Sequence, residues 1–429
     1  MSALAVAPFV LYLLVIAALP LILARFWDDN RNKLAVALAA ALPVAIYLLA
    51  CTPDGAGLLA ATAREYAAFI ALLGALFVIT SGIYVRGEPA ATPAVNTAFL
   101  AAGAVLASLI GTTGASALLI RPLLRANAHR RHRRHVVVFF IFLVANGGGL
   151  LTPLGDPPLF LGFLRGVPFG FTLRLAAPWA MLSAALLAIF ALVDRALARG
   201  EPATRRAGTG EPLRIEGAWN LIWLAGVVAT VLGIGVAGRS WPAGAFVQIG
   251  ALAALAGLSL ATTPRRIHDA NRFSWAPIVE VAAVFVGIFV TMVPALEVLH
   301  DRGASLGITR PWQFFWASGA LSSVLDNAPT YLTFASLAAG VVNAAGGQLS
   351  VHDLGALAAH PTGHQLLAAV SCGSVFMGAV TYIGNGPNFM VKAIAEENGV
   401  KMPSFFGYMG WSVVILVPLF ALQTLIFFR

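Results

Sequence analysis

Residues 152–160 read TPLGDPPLF and residues 381–389 read TYIGNGPNF. Set one above the other, Thr152 falls on Thr381, Leu154 on Ile383, Gly155 on Gly384, Asp156 on Asn385, Pro158 on Pro387 and Phe160 on Phe389. Both stretches interrupt apolar runs of helical length, 136–164 and 364–391. Neither can be continuous helix, because proline lacks the N–H and glycine with proline breaks the hydrogen-bond ladder. Backbone left unpaired in a bilayer costs several kcal/mol, so such breaks survive only where protein or a water-filled cavity covers them. Matching breaks in the two halves of a chain point to a transport site. Two unrelated proline kinks are the plainer alternative; the polar residues matching as well as the prolines argues against it.

The rest of the chain fits a multi-pass membrane protein. It has 429 residues, 59% hydrophobic and 10% charged, and charges this sparse cannot coat a soluble surface of that size. The net charge of +9 does not imply a nucleic-acid partner, because the basic residues sit in short loops between apolar runs, where they orient helices. Cys51 and Cys372 form no disulfide framework or metal-ligand spacing. The apolar segment 4–24 is followed by Arg25 and Arg31 and reads as a retained helix rather than a cleaved signal. No GxxxxGK[ST] occurs, so neither an ATP-driven pump nor an enzyme is expected. No cofactor is expected beyond transported or coupling Na⁺ and H⁺.

Spanning runs lie at about 4–24, 34–51, 65–85, 136–164 and 175–198, then at about 218–238, 244–260, 277–299, 364–391 and 405–428. Each half adds a split apolar stretch, 97–120 and 312–341, with GTTGAS at 111–116 and SSVLDNAP at 322–329 between two short arms. Both read as re-entrant hairpins with tips at membrane depth. With the N-terminus outside, 19 Lys and Arg fall in inside loops and 6 outside, as the positive-inside rule requires. The expected fold is therefore all-α and polytopic, an inverted-topology repeat of five spans plus one hairpin per half. The first repeat is 1–198, the second 217–429, and 199–216 is a cytoplasmic linker; the location is an inner membrane. The run HRRHRRH at 129–135 reads as a solvated inside loop against anionic lipid headgroups. His352, Asp353 and His360, in the external loop 342–362, are a weaker candidate zinc set.

Few ionisable residues fall at membrane depth. Asp156 lies in the first break and Asp326 at the second hairpin tip; Glu280 and Glu297 lie near the two ends of span 277–299. Intramembrane carboxylates are costly and usually line ion or proton paths. Asp326 can also cap the helix after it, and Glu280 is a candidate for a proton pathway. Around the two carboxylates the breaks and tips would gather Thr112, Thr113, Ser116, Asn146 and Thr152 from the first half. The second half would add Ser322, Ser323, Asn327, Thr330, Thr381, Asn385 and Asn388. Such an oxygen-rich set without Cys or His suits an alkali cation, with Asp156 and Asp326 as carboxylates for Na⁺. Helix N-termini in the same place could instead hold a carboxylate.

The segments GTTGASALLIRP, NGGGLLTPLGDPP, SSVLDNAPTYLTF and GNGPNFMV together resemble the ion transporter superfamily, in particular its NhaD-type sodium/proton antiporter and citrate-transporter branch, over nearly the whole chain. The resemblance implies ion-site roles for Asp156, Asp326 and Asn327 and a homodimer in the lipid bilayer. The Ser-Asn-Thr tip signatures of the superfamily's sodium-coupled carboxylate carriers are absent, which argues against a carboxylate substrate. GNGPN, however, is closer to the anion and arsenite branches. The leading expectation is a secondary sodium/proton antiporter working by alternating access, with Na⁺, Li⁺ and H⁺ as its ions. Asp326 would be the exchanging group and Asp156 a second carboxylate. The alternative is a sodium- or proton-coupled carrier of an organic anion such as citrate.

Overall fold

The computed structural model describes residues 3–88, 90–201, 211–237, 243–350 and 353–429. Before the first hairpin come α1 (Ala7–Ile22), α2 (Ala24–Trp27), α3 (Asn30–Cys51), α4 (Gly55–Ser81) and a strand β1 (Tyr84–Glu88). The first hairpin is α5 (Pro93–Ile110) and α6 (Thr112–Ala126). The first broken helix is α7 (Arg134–Leu143), a 3-10 turn Gly147–Leu151, and α8 (Pro157–Leu164). Then follow α9 (Phe169–Leu173), α10 (Ala176–Arg199), strand β2 (Glu211–Glu216), α11 (Asn220–Ala237), α12 (Gly244–Thr262), α13 (Arg265–Ala270) and α14 (Ala276–Arg302). The second hairpin is α15 (Pro311–Ser322) and α16 (Asn327–Ala344). After α17 (Leu354–Ala359), the second broken helix is α18 (Pro361–Met377), a 3-10 turn Gly378–Val380, and α19 (Gly386–Glu397). The last helix is α20 (Phe405–Phe427).

Among the described residues nine helices are long and apolar enough to cross a membrane. The expected first span is shorter than a full crossing, an apolar helix over Leu4–Pro20, and so is the apolar stretch Asn220–Ile234 of α11. The two broken helices form the centre: their spans are 89% and 78% buried, against 22% for α3, α12 and α20. The outer helices turn Leu42, Ile46, Phe246 and Val414 outward, the apolar belt a bilayer needs. Both helices break where glycine and proline predict. The prolines, however, do not sit inside a kinked helix. Pro157 and Pro387 occupy the first turns of α8 and α19, where no N–H is needed and φ is already helical. The chain turns at Gly111 between α5 and α6, and α5 is itself one of the nine helices long enough to cross. Gly111 takes φ +81, which a side chain would resist. The arm α5, at 18 residues, is longer than expected, about 27 Å at 1.5 Å per residue.

Loops that the charge count put together do meet. Asn30 Nδ2 donates to Ala276 O at 3.4 Å, Arg125 Nη2 to Val85 O at 2.7 Å, Arg133 Nη2 to Gly399 O at 2.9 Å and Arg134 Nε to Lys401 O at 2.8 Å. These contacts define one basic face. On the opposite face Leu354 N donates to Arg165 O at 2.8 Å, and Arg165 pairs with Glu65 at 3.0 Å.

Two features of the basic face depart from expectation. The chain is not wholly helical: β1 pairs antiparallel with β2, Val85 opposite Ile215. Residues 211–216, one described end of the 199–216 segment, are thus paired into a ribbon, and Arg205 and Arg206 lie outside the described residues. The HRRHRRH run is not uniformly solvated either. His132 is exposed, but Arg130 and His135 are buried. Arg130 Nη1 lies 2.6 Å from Asp194 Oδ1 and its Nε 3.3 Å from Glu201 Oε2; His135 Nε2 lies 2.8 Å from Asp194 Oδ1. Asn96 Nδ2 donates to the other Asp194 oxygen at 3.0 Å. Charges this deep persist only when paired and hydrogen-bonded, and Asp194, hidden in the polar end of an apolar helix, supplies the partner. His352 lies outside the described residues, and among these no cluster of three His, Cys, Asp or Glu side chains could hold a metal.

Candidate functional site

Each break is strapped to a hairpin tip in the same way. Thr152 Oγ1 donates to Ser108 O and accepts from Leu154 N at 3.1 Å. Thr381 Oγ1 donates to Ser323 O at 2.5 Å and accepts from Ile383 N at 3.1 Å. Ser108 and Ser323 each stand three residues before the tip residues Gly111 and Asp326. The extended segments then fold back on the 3-10 turns with no room for a side chain. A Cβ on Gly384 would fall 2.7 Å from Gly378 O and 2.6 Å from Ser322 O. Asp156 and Asn385, at the ends of these strapped segments, stand in extended backbone at the N-cap positions of α8 and α19, their side chains free to turn to the site rather than to the helix.

Asp156 is buried at the meeting point of four segments. Its Oδ1 accepts from Thr112 Oγ1 at 2.9 Å and from Asn385 Nδ2 at 3.3 Å, and its Oδ2 accepts from Asn327 Nδ2. One donor thus comes from each hairpin tip and one from the opposite break. Asp156 forms no ion pair among the described residues, and the like charge of Asp326 acts on it. Behind Asn385 an amide chain ties the halves together. Asn385 Nδ2 reaches Asn146 Oδ1 at 3.2 Å, Asn146 Nδ2 donates to Asn388 Oδ1 at 2.6 Å, and Asn388 Nδ2 donates to Thr381 O at 2.9 Å.

Asp326 is only partly buried and caps α16 by accepting from Ala328 N at 3.0 Å. Thr330 Oγ1 donates to Asp326 O at 3.0 Å, and Ser323 contributes its carbonyl to the Thr381 strap. Thr112 also fixes the backbone, its N–H donating to Gly155 O at 2.8 Å. Of the candidate site residues, Asn327 Oδ1 and Ser116 Oγ are buried oxygens without a hydrogen-bond partner. Glu280 is not brought to this cluster. It pairs with the buried Lys33 at 2.7 Å and is half exposed. Ser108 is the residue sequence reasoning passed over. Its hydroxyl donates to Gly148 O and accepts from Leu151 N at 3.2 Å. Its signal was the spacing to the tip that it shares with Ser323.

A cavity of ≈ 70 Å³ opens against Asp156. Thr112, Thr113 and Asp156 give it one polar corner, and Leu76, Phe77, Phe160 and Ile278 give it apolar walls. By the measure that one water needs roughly 10–15 Å³, it holds a few waters.

Compared with known proteins, residues 1–428 match the family described as "Putative citrate transport". The chain belongs to that family and is a multi-pass membrane protein of the secondary-transporter kind. No curated protein matches the sequence.

Proposed function

We propose that this member of the citrate transport family exchanges Na⁺, or Li⁺, for protons, with Asp156 as the exchanging carboxylate and Asp326 a second one beside it. The observation that carries this is the setting of Asp156: a buried carboxylate with three neutral donors and no basic side chain. Such a group holds either a proton or a small cation, never both, and that competition is the coupling an antiporter needs. Thr113, Ser116, the free Asn327 oxygen and the extended carbonyls of the breaks are the neutral oxygens at hand. An organic trianion placed in the cavity there would face the Asp156 carboxylate and no arginine or lysine. The cavity of ≈ 70 Å³ is also far below the ~300–1,000 Å³ of organic-ligand pockets.

The paired straps support reading 1–198 and 217–429 as inverted repeats that alternate access around a shared site. The basic face would be cytoplasmic by charge, with the N-terminus outside in an inner membrane. Homodimer assembly rests on the superfamily resemblance alone. The family description favours a second reading, citrate moved together with a cation, in which the bound cation supplies the positive charge that the site lacks. Purified protein in liposomes with an internal pH dye separates the two. External Na⁺ or Li⁺ alone drives proton efflux in the first reading. In the second, pH change or labelled uptake appears only once citrate is added.

A further inference from the structure

Next to the Asp156 cavity lies a second one of ≈ 250 Å³, opening toward the basic face and lined by Ser81, Arg121, Asn271, Arg272 and Glu397 among others. The two cavities share only Phe77 and Pro277. Phe77 and Pro277 therefore border both the small cavity touching the buried carboxylate and the wide, charged vestibule.

The surroundings hold that shared border in place. Phe77 stands one helical turn before Ser81 on α4, and its ring packs on Phe273 at 5.8 Å. Phe273 in turn packs on Trp275 and His268, both at 5.3 Å. Burial keeps the His268 imidazole below the ordinary histidine range. Asn271 Nδ2 pins the loop to the end of α4 by donating to Ser81 O at 2.7 Å and Ile83 O at 2.8 Å. Arg272 takes φ +51, the one described non-glycine residue with positive φ. Glycine is the default in that conformation, and strained backbone gathers where function needs it. Here the turn points the Arg272 side chain at Glu397, 2.9 Å away, and the next residue, Phe273, at Phe77. A hydrated cation in the vestibule meets an apolar wall, and hydrophobic constrictions of this kind gate by excluding water.

We propose that Phe77, closed against Pro277, is the gate through which the Asp156 cavity communicates with the basic face. The proposal rests on the transport reading above, but its test requires no transported ion. Cys51 and Cys372 are first replaced. Thr113→Cys then reports on the inner cavity and Ser81→Cys on the vestibule, each with Phe77 intact and with Phe77→Ala. The probe is a charged, membrane-impermeant methanethiosulfonate applied to right-side-out and inverted vesicles. Ser81→Cys should react quickly from the basic face whichever residue is at 77. Thr113→Cys should react at least tenfold faster from that same face when Phe77 is truncated, and Phe77→Leu, a milder change that keeps the helix packed, should fall between. Equal Thr113→Cys rates in all three backgrounds overturn the gate, as does acceleration only from the opposite face or reaction of Ser81→Cys only from that face. A gate that behaves as stated in protein showing no Na⁺-driven pH change leaves the gate standing and removes the antiport reading.

Discussion

Replacing Asp156 with asparagine separates charge from shape at the centre of the site. On the folding side the loss should be small. The carboxylate accepts three side-chain hydrogen bonds, and one oxygen becomes an NH₂ that cannot accept. Asn327 can compensate, because its Oδ1 has no partner; rotating that amide turns the free oxygen toward the new N–H. One exchanged hydrogen bond is worth about 1 kcal/mol, so Asp156→Asn should melt close to wild type in detergent. On the functional side the loss is large. A unit charge about 4 Å from a cation contributes about 4 kcal/mol at an effective dielectric of about 20, roughly a thousandfold in affinity, and the amide cannot carry a proton. Na⁺- or Li⁺-driven proton efflux in dye-loaded liposomes should vanish in Asp156→Asn. Efflux at wild-type rate and Na⁺ dependence in a folded Asp156→Asn protein would refute the assignment of the exchanging group, and the burden would pass to Asp326.

Thr381→Val removes the donor to Ser323 O and the acceptor of two backbone N–H groups, so it should cost about 1–3 kcal/mol of stability and most transport, whereas Thr381→Ser keeps both; equal thermal melts and fluxes for the two would mean the strap does not hold the break. Asp194→Asn takes the carboxylate from the buried His135 and leaves the buried Arg130 with Glu201 alone; it should lower stability by about 3–5 kcal/mol, read as lost folded yield and melting temperature, and a wild-type melt would deny that the cluster is structural. Proton and cation compete for one carboxylate, so the apparent KM for Na⁺ in the flux assay should rise as pH falls, by up to about tenfold per unit; a KM flat from about pH 6 to 9 contradicts that competition. His132→Cys and Gln348→Cys, both exposed, should label from opposite faces of the membrane, and labelling from one face would undo the topology.

What the sequence made legible was whatever depends on local chemistry. Gly155 with Pro157 and Pro158, and Gly386 with Pro387, mark the ends of regular helix whatever surrounds them, and the breaks lie where those residues stand. Gly111 and the Asp326-Asn327 pair mark the hairpin turns for the same reason. What stayed hidden depends on distant partners. Nothing in HRRHRRH separates Arg130 and His135 from their exposed neighbours; the distinction comes from Asp194 and Glu201, 64 and 71 residues beyond Arg130 in the sequence. The ion pair of Glu280, a residue near the start of α14, was hidden as well, because its partner Lys33 is 247 residues away. The β1–β2 ribbon was invisible because its strands are only five and six residues long and Val85 finds its partner Ile215 far along the sequence.

The asymmetry between the matched breaks also has a physical reason. Asp156 and Asn385 occupy corresponding places, and their side chains meet at 3.3 Å, amide donor to carboxylate acceptor. Two aspartates at that separation would repel, and one would be held protonated. Two asparagines would leave the pair without a charge to offer. A carboxylate facing a carboxamide gives a hydrogen bond and a single negative charge in the same space. The amide chain through Asn146 and Asn388 then fixes the orientation of the Asn385 amide, because each of its neighbours has already committed its own donors. The charge at the meeting point is thus set by one residue of the doubled motif, while the other, neutral and rigidly held, determines which way that charge can face.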